Sequence, residues 1–174
     1  QLLPWSEIRS EEYQFIPAST LVPDIPHYPE VTGIASQNLE EAQTLLTDAG
    51  VTSPEKLPTM TIAIPGGEET RRVANIMQSS WEEYLGISVE ISEIPYPRYF
   101  DALDTGEFTV GTVSWIADFA DPLSFLQMWT SGSNLNDAGF DDQEFDRLIR
   151  DSFDQSGNTR YETLAEAERI LLDT

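Results

Sequence analysis

The residues of this chain best suited to hold a ligand lie in one short run, Ser114-Trp-Ile-Ala-Asp-Phe-Ala-Asp-Pro122. A Trp, an Asp and a Phe follow a β-branched stretch that is typical of a buried strand. In an open α/β sheet, ligands bind just beyond the carboxyl ends of the strands. The run therefore predicts a binding site that joins aromatic surface to a carboxylate.

The two aspartates of this run are expected to do different things. Asp121 precedes Pro122, and Asp followed by Pro is a common way to begin a helix. Asp118 has no such local explanation. It stands between Trp115 and Phe119, whose apolar surface lowers the local dielectric and strengthens the pairing of a carboxylate with a cation. Two plainer interpretations stay open, a solvated turn for Asp118 and core packing for Trp115.

Alternating strands and helices must position this run. The hydrophobic pattern predicts strands over 60–65, 87–92 and 108–115. It predicts helices over 39–49, 68–85, 96–103, 121–129, 141–153 and 159–172, with Asn38 as a cap and Gly50, Gly86 and Gly106 as helix ends. Strands that alternate with helices indicate an α/β domain with a parallel or mixed sheet.

Four of these helices carry an apolar face that is expected to pack inward. In chain order the faces are Leu39, Ala42, Leu45, Leu46 and Ala49; Val73, Ile76, Met77, Trp81, Tyr84 and Leu85; Phe145, Leu148, Ile149 and Phe153; and Leu164, Ala165, Glu168, Leu171 and Leu172.

Composition excludes several classes of function. Asp and Glu number 31 against 9 Lys and Arg, and the formal net charge of −22 disfavours nucleic acid and anionic membranes as partners. The chain has no cysteine and one histidine, so Cys-ligated metals and His-based catalytic triads are excluded. The acid-rich run 134–144 departs from the calcium-loop pattern and is interpreted as a loop followed by a helix cap. No metal, cofactor or catalytic residue is predicted.

The chain is expected to be a piece of a longer protein, because it begins at Gln1 without Met and stops at Thr174 within a helical pattern. Its apolar runs are too short to span a bilayer. Residues 1–35 carry five prolines and are expected to form an irregular arm near a hinge. Residues 36–174 are expected to form one α/β lobe.

Four motifs occur in an order that resembles one family. They are Ala42-Gln-Thr-Leu-Leu-Thr-Asp-Ala-Gly50, Ser80-Trp-Glu-Glu-Tyr-Leu-Gly-Ile-Ser-Val-Glu90, Ser114 to Pro122, and Asn134 to Ile149. They are similar to motifs of the family-5 extracytoplasmic solute-binding proteins, the oligopeptide- and dipeptide-binding components of bacterial ABC importers. The resemblance implies an α/β lobe of the type II periplasmic-binding-protein kind, with a mixed sheet flanked by helices. It would be the C-terminal lobe of a two-lobed clamp whose other lobe is absent from this chain.

The resemblance also implies a function and a set of site residues. It implies a monomeric, non-enzymatic protein outside the cytoplasm, lipid-anchored or free, that binds peptides and delivers them to the permease subunits of an ABC importer. In the oligopeptide branch the residue matched by Asp118 pairs with the peptide α-amino group. The strand edge matched by Ser114, Trp115, Ile116 and Ala117 pairs with the peptide backbone, and Phe119 stands where Tyr is commoner. Ala117 before Asp118, where dipeptide-specific relatives have Gly, favours oligopeptides.

Other functions stay open on the sequence. Members of the family also carry nickel chelates, oligosaccharides or antibiotics. A carboxylate-dependent hydrolase that uses Asp104, Asp118 and Asp121 is a rival of a different class. An acidic adhesion lobe without a small ligand is another.

Overall fold

A computed structural model describes residues 18–33, 38–106 and 108–173, which belong to two compact units. The first unit contains residues 38–106 and 108–113, and the second contains residues 18–33 and 114–173. Residues 18–33 contain no helix or strand. They nevertheless supply buried side chains, Val22 and Val31, so this part of the Pro-rich segment is packed into its unit.

A small parallel sheet forms the centre of the first unit. Its strands are β1 (Met60–Ile64), β2 (Val89–Glu93) and β3 (Val110–Gly111), in the order β2-β1-β3. Its helices are α1 (Leu39–Asp48), α2 (Glu68–Leu85) and α3 (Tyr96–Thr105), with a 3₁₀ turn at Pro54–Lys56. The predicted α/β class and the predicted alternation of strands and helices are confirmed.

The middle strand β1 is buried on both faces, as its continuous apolar run predicts for a central parallel strand. Ile62 and Ile64 pack with α2 and β2 on one face. Ala63, on the opposite face, packs with Tyr99 and Leu103 of α3. The sheet is thus held between two helices that the hydrophobic pattern places correctly.

The predicted helix ends of the first unit are confirmed. The Asn38 side chain accepts a hydrogen bond from Glu41 N at 3.1 Å. Gly86 and Gly106 end α2 and α3 in the left-handed conformation, which glycine adopts without steric cost. The predicted burial of the α1 face is wrong: α1 has no buried residue, and Leu45 is 56% exposed. An amphipathic pattern predicts that a helix forms, but it does not supply a surface to cover the apolar face.

The third strand is much shorter than the predicted 108–115, because it contains only Val110–Gly111. Just after β3, the Tyr99 hydroxyl bonds both to β1 and to the segment that follows β3. It donates to Ala63 O at 2.9 Å and accepts from Thr112 N at 3.0 Å. The Thr112 N–H is therefore bonded to a side chain rather than to β1, and direct strand pairing stops there.

The second unit is helical and contains residues 18–33 of the predicted arm and the residues of the predicted site. Its elements are α4 (Leu123–Leu126), a 3₁₀ turn (Gln127–Trp129), α5 (Gln143–Asp151), a second 3₁₀ turn (Ser152–Asp154) and α6 (Gly157–Asp173). Its core joins Val22 of the arm to one face of each helix; the buried helical members are Leu123, Leu126, Phe145, Leu148, Ile149, Leu164 and Ala167.

Two details of the predicted helices in this unit are wrong. Phe153 is 65% exposed rather than inward-facing, because α5 ends at Asp151 and the following 3₁₀ turn changes the direction of the side chain. The last helix begins at Gly157, before the predicted start at Thr159. Thr159 lies inside the helix, where its carbonyl accepts a hydrogen bond from the Thr163 hydroxyl.

Candidate functional site

The predicted ligand-binding residues are consecutive and belong to the second unit. They form an irregular run after β3 that bends from Asp118 onward. Ile116 is 87% exposed and Phe119 is 46% exposed. Ser114 and Asp118 are also exposed, whereas Trp115 and Ala117 are half-buried.

The backbone of Ser114, Trp115, Ile116 and Ala117 is available for pairing. Within residues 18–33, 38–106 and 108–173, none of the N–H and C=O groups of these four residues takes part in a hydrogen bond. Backbone polar groups require a partner, and water or a bound molecule can supply it. A segment whose backbone groups are unpaired is a template on which another chain can form a strand.

Ser124 fixes this run at two points. The Trp115 indole Nε1 donates to the Ser124 carbonyl oxygen at 2.8 Å, and Asp118 N donates to Ser124 Oγ at 3.0 Å. Ser124 itself is fully buried in α4. The indole N–H of Trp115 is thus committed to an internal bond, while its half-buried ring remains part of the surface beside Asp118.

The carboxylate of Asp118 is exposed and has no hydrogen-bond or ion-pair partner in the part of the chain that the structure describes. Its backbone is held while its side chain is free. An exposed carboxylate on a held backbone can pair with a cationic group of a ligand.

Asp121 lies just before α4, whose N-cap is Pro122 and not Asp121 as the sequence predicts, but its carboxylate still binds the first residue of that helix. Its Oδ1 accepts a hydrogen bond from Leu123 N at 2.9 Å, at the start of α4. The structure adds a bidentate ion pair with Arg160 of α6, at 2.6 and 2.9 Å. Burial alone would raise the pKa of Asp121, but the bonds from Arg160 and Leu123 N and the charge of Arg160 outweigh it, so the pKa lies below its usual value.

This ion pair bears on the hydrolase alternative. A carboxylate-dependent hydrolase needs two acids that are free to exchange protons. The Asp121 carboxylate is committed to Arg160 and to the start of α4, and its lowered pKa keeps it ionised. Sequence reasoning missed Arg160 because it lies 39 residues from Asp121 and no local pattern joins them.

Replacing Arg160 with Met is expected to lower the free energy of unfolding at pH 7 by about 1–3 kcal/mol, since it leaves the partly buried Asp121 without its charged partner. Because the folded-state pKa of Asp121 is depressed, its stabilising contribution is present above the unfolded pKa near 3.8 and is lost as pH falls through the lower folded pKa. Urea unfolding at a series of pH values measures both effects.

Arg147 provides the matched control for that experiment. Its side chain is 49% exposed and pairs with Glu144 and Asp151 on the surface of α5. Exposed pairs of this kind contribute little, so Arg147→Met should lower the free energy of unfolding much less than Arg160→Met does. Equal losses for the two variants would contradict the role assigned to Arg160.

The acid-rich run 134–144 is a loop followed by a capped helix, as predicted. Asp142 accepts a hydrogen bond from Phe145 N at 2.8 Å at the start of α5. Asn136 organises the loop: its Nδ2 donates to Phe140 O at 2.7 Å, and its Oδ1 accepts from Phe140 N at 3.1 Å. In the ranges that the structure describes, no three acidic or histidine side chains are grouped so as to hold a metal ion.

The same described ranges contain no helix with both the length and the apolarity needed to cross a bilayer.

Comparison with known proteins identifies the family to which this chain belongs. Residues 11–137 match the model of "Bacterial extracellular solute-binding proteins, family 5 Middle". The chain therefore belongs to this family of bacterial extracellular solute-binding proteins, and the assignment predicted from the four motifs is confirmed.

Relatives of known name agree with this assignment. The chain is 30% identical over 131 residues to the oligopeptide-binding protein OppA of Bacillus subtilis, covering 74% of this chain and 24% of OppA. It is 32% identical over 133 residues to the periplasmic oligopeptide-binding protein OppA of Salmonella typhimurium, covering 76% of this chain and 24% of that protein. The chain thus spans about a quarter of the length of these two relatives.

The fold is also that of a solved member of the family. The structure of the Escherichia coli murein tripeptide binding protein MppA superposes with a TM-score of 0.82 at 28% identity, covering 90% of this chain and 32% of MppA. The predicted fold class, an α/β lobe of the type II periplasmic-binding-protein kind, is confirmed. The three strands in the described residues are parallel.

Proposed function

We propose that this chain is part of the substrate-binding component of an ABC importer and that its second unit holds the N-terminal end of a peptide. In this proposal the protein works outside the cytoplasm as a monomer and delivers oligopeptides to the permease subunits. The names of its relatives, which include oligopeptide-binding proteins and a murein tripeptide binding protein, support peptides as the ligand class.

The single observation that carries the proposal is the unpaired run 114–117, which ends at the free carboxylate of Asp118. A peptide that adds to such an edge as an extra strand is bound through its backbone, whatever its side chains are. The charged α-amino group at the end of that peptide needs an anion. Asp118 supplies this anion at the end of the run. A peptide whose backbone pairs with residues 114–117 would have its first residue there.

The surroundings of Asp118 suit this pairing. Ile116 and Phe119, two residues before and one residue after Asp118 in the chain, expose apolar side chains, and Trp115 is half-buried. A ligand placed over these groups would exclude water from the ammonium–carboxylate pair. Pairing in a medium of lower dielectric is stronger than in water, so the amino group gains affinity from the apolar surface as well as from the charge.

The test compares peptides with free and acetylated N-termini. Calorimetry with the full-length product of the gene and a small peptide library should find that N-acetylation lowers the affinity at least about 30-fold, because truncating one partner of a desolvated charge pair costs about 2–5 kcal/mol. Equal binding of the two forms would overturn the role of Asp118. If the protein bound an oligosaccharide or a nickel chelate and no peptide, the proposal that its ligands are peptides would be wrong.

A further inference from the structure

Ser124 joins two residues of the predicted site to the core of the second unit. Its hydroxyl oxygen accepts a hydrogen bond from Asp118 N at 3.0 Å, and its carbonyl oxygen accepts one from the Trp115 indole at 2.8 Å. The two residues of the run between these points, Ile116 and Ala117, have no backbone hydrogen bond in the described ranges. One buried residue, Ser124, therefore holds the run at Trp115 and at Asp118.

The hydroxyl of Ser124 is used differently from that of another buried serine in the same unit. Ser152 is also fully buried, and its hydroxyl donates to Ile149 O at 2.7 Å, three residues earlier in the chain. That bond is the usual local bond of a serine in a helix. The hydroxyl of Ser124 instead accepts from a residue outside its own helix, so its bond determines where the preceding loop lies.

The helix that carries Ser124 is itself rigidly held. Leu123 and Leu126 on either side of it are buried in the core of the unit. Asp121 binds Leu123 N at the start of α4 and pairs with Arg160 of α6. Ser124 is thus a fixed point, and a bond to it fixes the backbone of Asp118 relative to the core.

Fixing that backbone matters for binding because, among the residues that the structure describes, the backbone of 114–118 makes no other hydrogen bond. A ligand that pairs with a mobile segment binds more weakly, because part of the binding free energy is used to order that segment. If the segment adopts the competent conformation only part of the time, the apparent affinity falls by that fraction. The Asp118 carboxylate can meet a ligand cation without this loss only if its backbone is already in place.

We propose that Ser124 is a positioning residue: it holds Asp118 so that the carboxylate is pre-organised for the ligand's amino group. This inference rests on the proposed function, in which Asp118 is the anchor. Ser124 does not contact the ligand in this scheme and acts through Asp118 alone. Its contribution should therefore disappear when the carboxylate is absent.

The test is a double-mutant cycle on the full-length protein, with affinities for one free-amine peptide measured by calorimetry. Ser124→Ala should lower the affinity about 3- to 10-fold, the range expected for losing one ordinary hydrogen bond. In an Asp118→Asn background the same change should lower it less than about 2-fold, because the group that Ser124 positions is no longer charged. The Asp118 amide should also exchange faster with solvent in Ser124→Ala.

Ser152→Ala is the matched control, since it removes an equally buried hydroxyl from the same unit. It should leave both the peptide affinity and the exchange of the Asp118 amide unchanged. If Ser124→Ala does not fold, Ser124→Cys replaces it, because a thiol has nearly the same size and is a weaker acceptor. The cysteine variant should lose affinity in the same direction and with the same dependence on Asp118.

The outcomes separate this inference from the proposed function. If Asp118→Asn lowers the affinity but the serine variants do not, or if they lower it equally in both backgrounds, the positioning role of Ser124 is overturned. If Asp118→Asn itself has no effect and acetylated peptides bind as well as free ones, the proposed role of Asp118 is wrong, and the inference about Ser124 that rests on it is wrong as well. Coupling between Ser124 and Asp118 supports both.

Discussion

Replacing Asp118 with Asn should cost the full-length protein about 2–5 kcal/mol of binding free energy for a peptide with a free N-terminus. The substitution keeps the size of the side chain and leaves the bond from Asp118 N to Ser124 Oγ in place, so it removes the charge alone. The ligand's ammonium group would then be buried against Ile116 and Phe119 without a counter-charge, which is the costly arrangement. Calorimetry at constant pH and ionic strength measures the loss.

The chain offers a control for this change and a second ligand to check it. Asp154 is an exposed acid of the same unit, outside the run, and Asp154→Asn should leave the affinity as it is. An N-acetylated peptide has no ammonium group, so its weaker binding should differ little between the wild-type protein and Asp118→Asn. An equal loss for both peptides would mean that the substitution acts through the fold and not through the charge pair.

Features encoded by neighbouring residues could be predicted from the sequence. Asn38 caps α1 and Gly86 ends α2 because capping and left-handed backbone depend on residues a few positions apart. The strand β1 was predicted for a similar reason, since a short β-branched run bounded by prolines has few alternatives. The candidate site stays a prediction; its residues could be named from the sequence because the motif is continuous along the chain.

Features that join distant segments could not be predicted. The Tyr99 hydroxyl stops the pairing of β3, and nothing in the sequence around Thr112 indicates this. Arg160 reaches Asp121 from another helix. Glu168 was placed on an inward face by its spacing, yet the spacing does not reveal which groups a buried carboxylate would bind. In each case a polar side chain satisfies a group far away in the sequence.

The buried carboxylate of Glu168 is the polar centre that attaches the arm to α6. Its Oε1 accepts from Leu21 N and Val22 N, both at 2.8 Å, and its Oε2 accepts from the Tyr28 hydroxyl at 2.9 Å. Burial of Tyr28 and the negative charge of Glu168 raise the pKa of that phenol, so it remains protonated and donates. Three donors of residues 18–33 thus depend on one side chain.

Glu168→Leu should therefore lower the free energy of unfolding by about 3–5 kcal/mol, because it leaves three buried or part-buried donors without their acceptor. Glu168→Gln should cost less, since its amide oxygen can still accept from the two backbone N–H groups, although a neutral acceptor binds them more weakly. Glu166→Leu, on the exposed face of the same helix, should change stability by no more than about 1 kcal/mol.

Urea unfolding of the four proteins and amide exchange at Leu21 and Val22 would measure these effects. The exchange rates decide between two physical accounts. If Glu168 attaches the arm, both amides lose protection in Glu168→Leu under conditions where the helices remain folded. If the loss of stability instead came only from the altered packing of α6, protection at Leu21 and Val22 would fall no more than that of the helix core around Leu164. Because residues 18–33 contain no helix or strand, the first result is expected.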